Sequence, residues 1–324
     1  MNWPAMTRLK APNRQMATDG MAKRMAHQSK LAAFLRLTRA EHSLMLAVAV
    51  IAAELETLST LGVPAPSAYV VALSLITPIA ISMASFAIND YFDVEADRAN
   101  GFLDRPLVSG ALGRRTALYT TLIGMVIGVA ASALINAYAL LIALVFAVLA
   151  VLYSARLKRM LLVGNVYIAL SMVIAFVYGD FVVSGTLAQN IVVISLVIFL
   201  SGLAREIHGM MRDSDGDVKA RRVRGVVQYM GMRTSAFVAF ALYAEAVAIS
   251  IFAFFEYAPF MYNPYYLVPI AVADVLLMYV ALGFITKRSR GFYLLARNMS
   301  LGAMSLALLA YLIAPLTYAA AHLL

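Results

Sequence analysis

Long apolar segments follow one another along most of this chain, and they restrict it to a small set of folds. Each segment is about 20 residues long, enough for a helix to cross the hydrocarbon core of a bilayer. Backbone amides must be paired within the chain in hydrocarbon, so only helices and closed barrels cross it. The segments are continuous rather than alternating, and 63% of residues are hydrophobic while 13% are charged. We therefore predict an all-α, polytopic membrane protein.

We predict nine transmembrane helices that form one bundle, divided by turn residues such as Asn263-Pro264. The predicted spans cover residues 32–55, 68–90, 115–136, 138–155, 161–183, 190–209, 233–255, 265–286 and 293–318. The predicted domains are a basic N-terminal arm, residues 1–30, and a transmembrane domain, residues 31–324.

The positive charges support this division into spans. All 26 lysines and arginines fall in the N-terminal region or near every second connection between predicted spans. Basic connections mark the cytoplasmic side. We therefore predict a multi-pass protein of the cell membrane with a cytoplasmic N-terminus. The net charge of +9 then reflects topology rather than nucleic-acid binding, and the absence of cysteine excludes disulfides and thiolate metal sites.

Acidic residues concentrate at the predicted cytoplasmic ends of the second and sixth spans. Asn89, Asp93 and Asp97 recur every fourth residue, so they share one face of a helix, with Asp90 beside them. Clustered negative charges at a helix C-terminus are unfavourable unless a cation neutralises them. Oxygen ligands of this kind suit Mg²⁺, which completes its shell with water and substrate phosphates.

Asp213 and Asp217 repeat the four-residue spacing at the end of the sixth span. Two acidic pairs on one membrane face could hold metal ions on either side of a diphosphate and promote its departure. The segment is also loosely similar to a calcium loop, but its glycine is misplaced and the closing glutamate is missing. We predict catalytic roles for Asp93, Asp97, Asp213 and Asp217. We predict that the metal ligands are Asn89, Asp90, Asp93, Asp97, Asp213 and Asp217.

Basic residues on the same side are candidates for binding phosphate oxygens, although most loop arginines and lysines only set topology. The candidates are Arg39, Arg105, Lys158, Arg159, Lys219 and Arg222. Lys158 and Lys219 are favoured, because Lys158 follows Tyr153-Ser154 at the end of the fourth span and Lys219 lies just beyond Asp217.

Two further acids, Glu245 and Asp274, lie inside the seventh and eighth predicted spans. Carboxylates within spans usually face the interior of the bundle. We expect both to be protonated and hydrogen-bonded between helices; contact with a polar acceptor is the alternative.

These motifs resemble those of the UbiA superfamily of intramembrane prenyltransferases. The family's signature NDxxDxxxD is present in full from Asn89 to Asp97, and DxxxD matches Asp213 and Asp217, followed by Lys219. The resemblance covers about residues 31–318 and implies nine helices. Two further stretches resemble the family's connections. One is Arg98 with Asp104-Arg105-Pro106-Leu107 and Ser109-Gly110, and the other, between the fourth and fifth helices, is Tyr153-Ser154 with Lys158-Arg159 and then Gly164-Asn165.

The sequences NDYFDVEADR and REI…DSDGD are most similar to the archaeal branch that makes digeranylgeranylglyceryl phosphate. That resemblance implies Mg²⁺-dependent transfer of geranylgeranyl from its diphosphate to geranylgeranylglyceryl phosphate in archaeal ether-lipid synthesis. The implied substrate-binding residues are Asn89, Asp90, Arg39, Arg105, Tyr153, Lys158 and Lys219. Departures from that branch at His42, Met210 and residues 223–227 bear on the acceptor rather than on the diphosphate chemistry.

Two alternative functions also fit the acidic motifs. The same site could prenylate an aromatic quinone precursor or a sugar phosphate, which an assay with each acceptor would distinguish. A cation-coupled transporter could instead use the acids to bind its ion. Transporters usually place such sites at mid-membrane, whereas both motifs here lie at span ends, which favours the enzyme.

Overall fold

Regular structure in the computed structural model is entirely helical wherever the chain is described, namely residues 29–160, 162–221, 226–287 and 289–322. Side chains are not described for residues 213–221, 226, 290 and 322. The ten α-helices are α1 Lys30–Thr38, α2 Ala40–Leu61, α3 Ala68–Ala99, α4 Arg114–Ala133, α5 Ala137–Ala155, α6 Val163–Val183, α7 Gln189–Arg221, α8 Val226–Glu256, α9 Pro264–Thr286 and α10 Arg290–His322.

The helices from α2 to α10 are long and apolar enough to cross a membrane, and they correspond one to one to the nine predicted spans. Over the described ranges, the predicted fold class and span count are therefore confirmed. Residues 1–28 lie outside the described residues, so the basic arm stays a prediction, as does the cytoplasmic placement of the N-terminus.

The first predicted span is interrupted, because Arg39 divides it into α1 and α2. Arg39 has φ 44° and ψ 54°, a left-handed conformation that is uncommon for a residue with a side chain. The short α1 packs on α3 and buries Ala33 and Leu37, the latter in a cluster with Val94 and Leu107. A continuous helix from residue 32 was therefore a wrong prediction, and the interruption turns the Arg39 side chain toward α3.

Among the helices that are longer than a bilayer crossing requires are α3 and α7. They contain 32 and 33 residues, or about 48 Å each at 1.5 Å per residue, against a hydrocarbon core of about 30 Å. Their C-terminal turns therefore extend past the apolar region. Those turns carry the two acidic segments, as the sequence predicts.

Glycines allow the helices to approach closely. A Cβ on Gly179 of α6 would lie 2.7 Å from the carbonyl oxygen of Val50 on α2. A Cβ on Gly124 of α4 would lie the same distance, 2.7 Å, from the carbonyl oxygen of Ala80 on α3. Any side chain there would force the helices apart, which is why small residues favour contacts between membrane helices.

A buried polar network ties α2, α6 and α7 together at the end of the bundle opposite the acidic segments. Asp180 is fully buried, and it accepts hydrogen bonds from Thr57 Oγ1 at 2.8 Å and from the Ala188 amide at 2.8 Å. Nearby, Asn190 Nδ2 donates to Glu56 Oε1. Hydrogen bonds to a buried carboxyl group are strong in a low-dielectric interior, so these contacts fix the relative positions of the helices that contribute to them.

Candidate active site

The first acidic segment occupies the last turns of α3, where Asn89 and Asp93 face the turn that follows α5. That turn is a short 3₁₀ helix, Leu157–Arg159, and it places Lys158 Nζ 3.1 Å from Asn89 Oδ1 and 2.6 Å from Asp93 Oδ1. Only 9% of the Lys158 side chain and 13% of the Asp93 side chain are exposed. An amide oxygen and a carboxylate oxygen therefore converge on one cation in a largely shielded site.

A second ion-pair cluster surrounds Asp90 and Asp97. Arg105 Nη1 lies 2.9 Å from Asp90 Oδ1 and 3.1 Å from Asp97 Oδ2. Arg39 Nη2 lies 3.4 Å from the same Asp90 oxygen, and its guanidinium group stacks over the Phe86 ring at 4.5 Å. The left-handed conformation at Arg39 thus contributes directly to this cluster.

The acids of α3 therefore divide between two groups of basic partners. Asp97, which the four-residue spacing placed with Asn89 and Asp93, instead pairs with Arg105 beside Asp90. This pairing explains how one helix end tolerates several negative charges. The contacts are ion pairs, so the predicted metal-binding and catalytic roles of these acids stay predictions.

A mainly apolar cavity of about 570 Å³ begins at Asn89, beside the contacts of Asn89 and Asp93 with Lys158. Arg39, Asn89 and Tyr153 line its polar end, and the Tyr153 ring stacks on Tyr167 at a centroid distance of 4.5 Å. The volume falls in the range of small-molecule sites. The apolar walls include Leu46, Ile142, Phe146, Phe176, Leu277 and Leu308. This shape suits a molecule with a charged head and a long apolar tail.

The second acidic segment lies on the last turns of α7, which ends at Arg221. The side chains of Asp213, Asp217 and Lys219 are not described, and Arg222 lies outside the described residues. Their predicted metal and phosphate contacts therefore stay predictions. Arg159 is exposed beside Lys158.

The sequence did not single out Arg205 and Glu206, which line the cavity near its polar end. Glu206 has Asn165 of α6 as a neighbour. Both residues lie on α7 about two turns before Asp213. This proximity to the second acidic motif is the sequence feature that could have identified them. The Phe86 ring beneath Arg39 could not be found in this way, because nothing in the local sequence marks it.

The two intramembrane acids have different surroundings. Asp274 on α9 accepts a hydrogen bond from Ser250 Oγ on α8 at 2.6 Å, as expected, and it also lines the cavity. Glu245 is exposed on the outer face of α8, so the expectation of a hydrogen bond between helices was wrong for this residue.

The donor set formed by Asn89 and Asp93 fits a magnesium ion. Their oxygens already converge on the Lys158 ammonium group, which marks the position where a cation is stabilised. In the part of the chain that the structure describes, no three His, Asp or Glu side chains form a potential metal site. Mg²⁺ commonly uses one or two carboxylates together with water and substrate phosphates, so a site of this size is compatible with it.

The described residues form a polytopic membrane protein: nine helices are long and apolar enough to cross a membrane, acidic and basic side chains pair at one end, and a mainly apolar cavity begins there. Residues 45–300 match the UbiA prenyltransferase family. The chain belongs to this family and is a prenyltransferase. Family membership supports the enzyme over the transporter that the sequence left open.

Relatives and solved structures agree with this assignment. The chain is 36% identical over 239 residues to a digeranylgeranylglyceryl phosphate synthase of Archaeoglobus fulgidus, covering 74% of this chain and 81% of the relative. A solved structure of digeranylgeranylglyceryl phosphate synthase aligns with TM-score 0.71 and 25% identity, over 90% of this chain and 100% of that one. A UbiA homolog from Archaeoglobus fulgidus bound to GPP and Mg²⁺ aligns with TM-score 0.59 and 20% identity, over 85% and 99%. The last of these supports the fold alone.

Proposed function

We propose that this enzyme transfers a geranylgeranyl group from geranylgeranyl diphosphate to the free glycerol hydroxyl of geranylgeranylglyceryl phosphate, with Mg²⁺ as cofactor. The observation that carries the proposal is the convergence of Asn89, Asp93 and Lys158 at the polar end of the apolar cavity. The named activity of the Archaeoglobus fulgidus relative supports this choice of substrates.

Asn89 and Asp93 would hold one Mg²⁺ from α3, and Asp213 and Asp217 would hold another from α7. When bound, the ions supply positive charge that stabilises the departing diphosphate. Lys158 Nζ now lies between the oxygens of Asn89 and Asp93. We infer that Lys158 releases these oxygens when substrate binds and turns its ammonium group to a phosphate oxygen, so the site keeps its charge balance.

Arg39 and Arg105 bind phosphate oxygens of the substrate in this proposal. Arg105 bridges Asp90 and Asp97, and Arg39 is held by Asp90 and Phe86. A guanidinium group has five N–H donors, so each arginine retains donors for phosphate oxygens while its carboxylate partner fixes its orientation. We propose that Lys219 supplies a further phosphate contact from α7.

The apolar cavity would hold the isoprenoid chain and exclude water from the reacting carbon. The bond between C1 and the diphosphate oxygen breaks, the acceptor hydroxyl oxygen forms a new bond to C1, and the hydroxyl proton passes to the departing diphosphate. Water would compete with the hydroxyl for the allylic cation, so a dry pocket favours transfer over hydrolysis. His42 lines the cavity close to Arg39, and we propose that it faces the acceptor.

The proposal is tested by supplying purified enzyme in liposomes with geranylgeranyl diphosphate, Mg²⁺ and one acceptor at a time. We expect diphosphate release and a diether product with geranylgeranylglyceryl phosphate alone. Product formed with an aromatic quinone precursor or a sugar phosphate instead would overturn the acceptor and keep the donor site.

Placement in the cell membrane with the acidic segments at the cytoplasmic face would give the enzyme direct access to water-exposed diphosphates, and the basic connections support it.

A further inference from the structure

Glu245 presents a carboxyl group to the lipid-facing side of α8. Its neighbours Tyr243 and Ala246 are buried in the bundle, whereas Glu245 is exposed. No hydrogen bond or ion pair joins Glu245 to any residue within the described ranges. The carboxyl group therefore has no partner from the described part of its own chain.

The position of Glu245 along α8 places it deep in the membrane. Gly231, with φ 78°, kinks the helix, and the straight part runs from Met232 to Glu256. At 1.5 Å per residue, Glu245 lies about 20 Å from Met232 and about 16 Å from Glu256. Half of the hydrocarbon core is about 15 Å, so Glu245 lies near its middle and its short side chain reaches neither interface.

A carboxyl group in hydrocarbon is costly unless another polar group receives its hydrogen bonds. Such residues normally face the interior of a bundle or a water-filled cavity. Glu245 faces neither, so the group that stabilises it belongs to another molecule at the same depth.

We propose that α8 contacts α8 of a second copy of this chain, with the two protonated Glu245 side chains hydrogen-bonded to each other. A two-fold axis along the membrane normal brings equivalent residues together at the same depth. A protonated carboxyl group both donates and accepts, so two identical groups are complementary. A basic partner from the second copy is excluded, since every Lys and Arg of the chain lies near a span end or in a connection on one side.

The surface around Glu245 is suited to close contact between helices. Ala241 and Ala248 lie one turn before and one turn after Glu245, and both are exposed. Small residues beside a polar side chain are typical of contacts between membrane helices. Ala246, about 100° around α8 from Glu245, is buried and lines the substrate cavity, so the proposed contact on the exposed face leaves the cavity unobstructed.

Cysteine cross-linking tests the contact, because the chain contains no cysteine. The variant Ala248→Cys places one thiol on the proposed interface, where a two-fold contact brings it close to its equivalent. The variant Ile123→Cys is the matched control, because Ile123 is 56% exposed near the middle of α4. In liposomes of purified protein under mild oxidation, we expect a disulfide-linked dimer for Ala248→Cys and little for Ile123→Cys.

The role of the carboxyl group is tested in the Ala248→Cys background. We expect Glu245→Leu to lower the dimer association constant by roughly 5- to 30-fold, the value of one hydrogen bond between membrane helices. Glu245→Gln should retain cross-linking, because two amides also pair symmetrically. Cross-linking of Ala248→Cys no greater than that of Ile123→Cys would overturn the second copy as partner, and unchanged cross-linking in Glu245→Leu would overturn the carboxyl pair.

Discussion

Lys158 and Asp93 are separated by 65 residues in the sequence, yet Lys158 Nζ lies 2.6 Å from Asp93 Oδ1. The contact connects the turn after α5 with the last turns of α3, and Asn89 completes it. A positive charge thus occupies the position where the carboxylate and amide oxygens converge. We infer that diphosphate and Mg²⁺ together displace this ammonium group, so that neither binds tightly alone.

Replacement of Lys158 by Ala tests this exchange of charges. We expect the free enzyme to bind Mg²⁺ more tightly, because Asn89 and Asp93 lose their resident cation. Prenyl transfer should fall by about 100-fold with the loss of a charged phosphate contact. Calorimetric Mg²⁺ binding and steady-state rates measure the two effects, with Arg156→Ala, at an exposed arginine beside the same turn, as control. Weaker Mg²⁺ binding by the Lys158 variant would contradict the exchange.

Arg39 combines an unusual backbone conformation with an ion pair, and the two can be separated by substitution. Glycine adopts positive φ readily, so Arg39→Gly should keep the backbone conformation at this position while it removes the side chain. We expect KM for the prenyl diphosphate to rise by about 10- to 100-fold, because a charge-assisted contact is lost. Arg36→Ala, an exposed arginine one turn earlier, should have wild-type KM. Equal KM values for the two variants would remove Arg39 from the substrate site.

The length of the cavity should limit the length of the donor chain. Ala307 lines the cavity on α10, far from the polar end, whereas Ser305 on the same helix is exposed. Ala307→Trp should lower kcat/KM for geranylgeranyl diphosphate by about 10-fold or more relative to geranyl diphosphate, since overpacking costs about 1–3 kcal/mol. Ser305→Trp should not change this ratio. Competition between the two donors measures it, and an unchanged ratio for Ala307→Trp would place the chain elsewhere.

Asp180 should determine stability rather than catalysis. Its carboxylate accepts hydrogen bonds from Thr57 and Ala188 at the end of the bundle away from the active site. Asp180→Ala leaves these donors buried without a partner, at a cost of about 1–3 kcal/mol each. We expect a lower thermal unfolding midpoint with an unchanged KM for the donor. Ser59→Ala, which removes one local hydrogen bond at the half-buried end of α2, is the milder control.

The span count followed from the sequence because lipid imposes one requirement on every segment, an apolar length of about 20 residues. The interruption of the first predicted span at Arg39 did not follow from the sequence. The left-handed conformation of Arg39 accompanies contacts with Asp90 and Phe86 of α3, which are distant in the sequence. The orientation of Glu245 was also missed. A membrane helix is apolar on all sides, so its pattern does not identify the face that meets lipid.

The candidate site was predicted in part. Spacing along one helix brought Asn89 and Asp93 together, and a turn motif pointed to Lys158. The pairing of Asp97 with Arg105 depends on the path of the connection between α3 and α4, residues 100–113, which local sequence does not specify.

The central claim is that the α3 acids facing Lys158 form the diphosphate site, and one comparison tests it most directly. Asp93→Asn removes a charge beside Lys158, while Glu95→Gln removes a charge two residues away that is 70% exposed and pairs with Arg98 on the surface. Mg²⁺-dependent diphosphate release from geranylgeranyl diphosphate is measured for both. We predict a loss of about 1000-fold or more for Asp93→Asn, as for other groups that stabilise a leaving anion, and wild-type release for Glu95→Gln. Full release by Asp93→Asn would contradict the account.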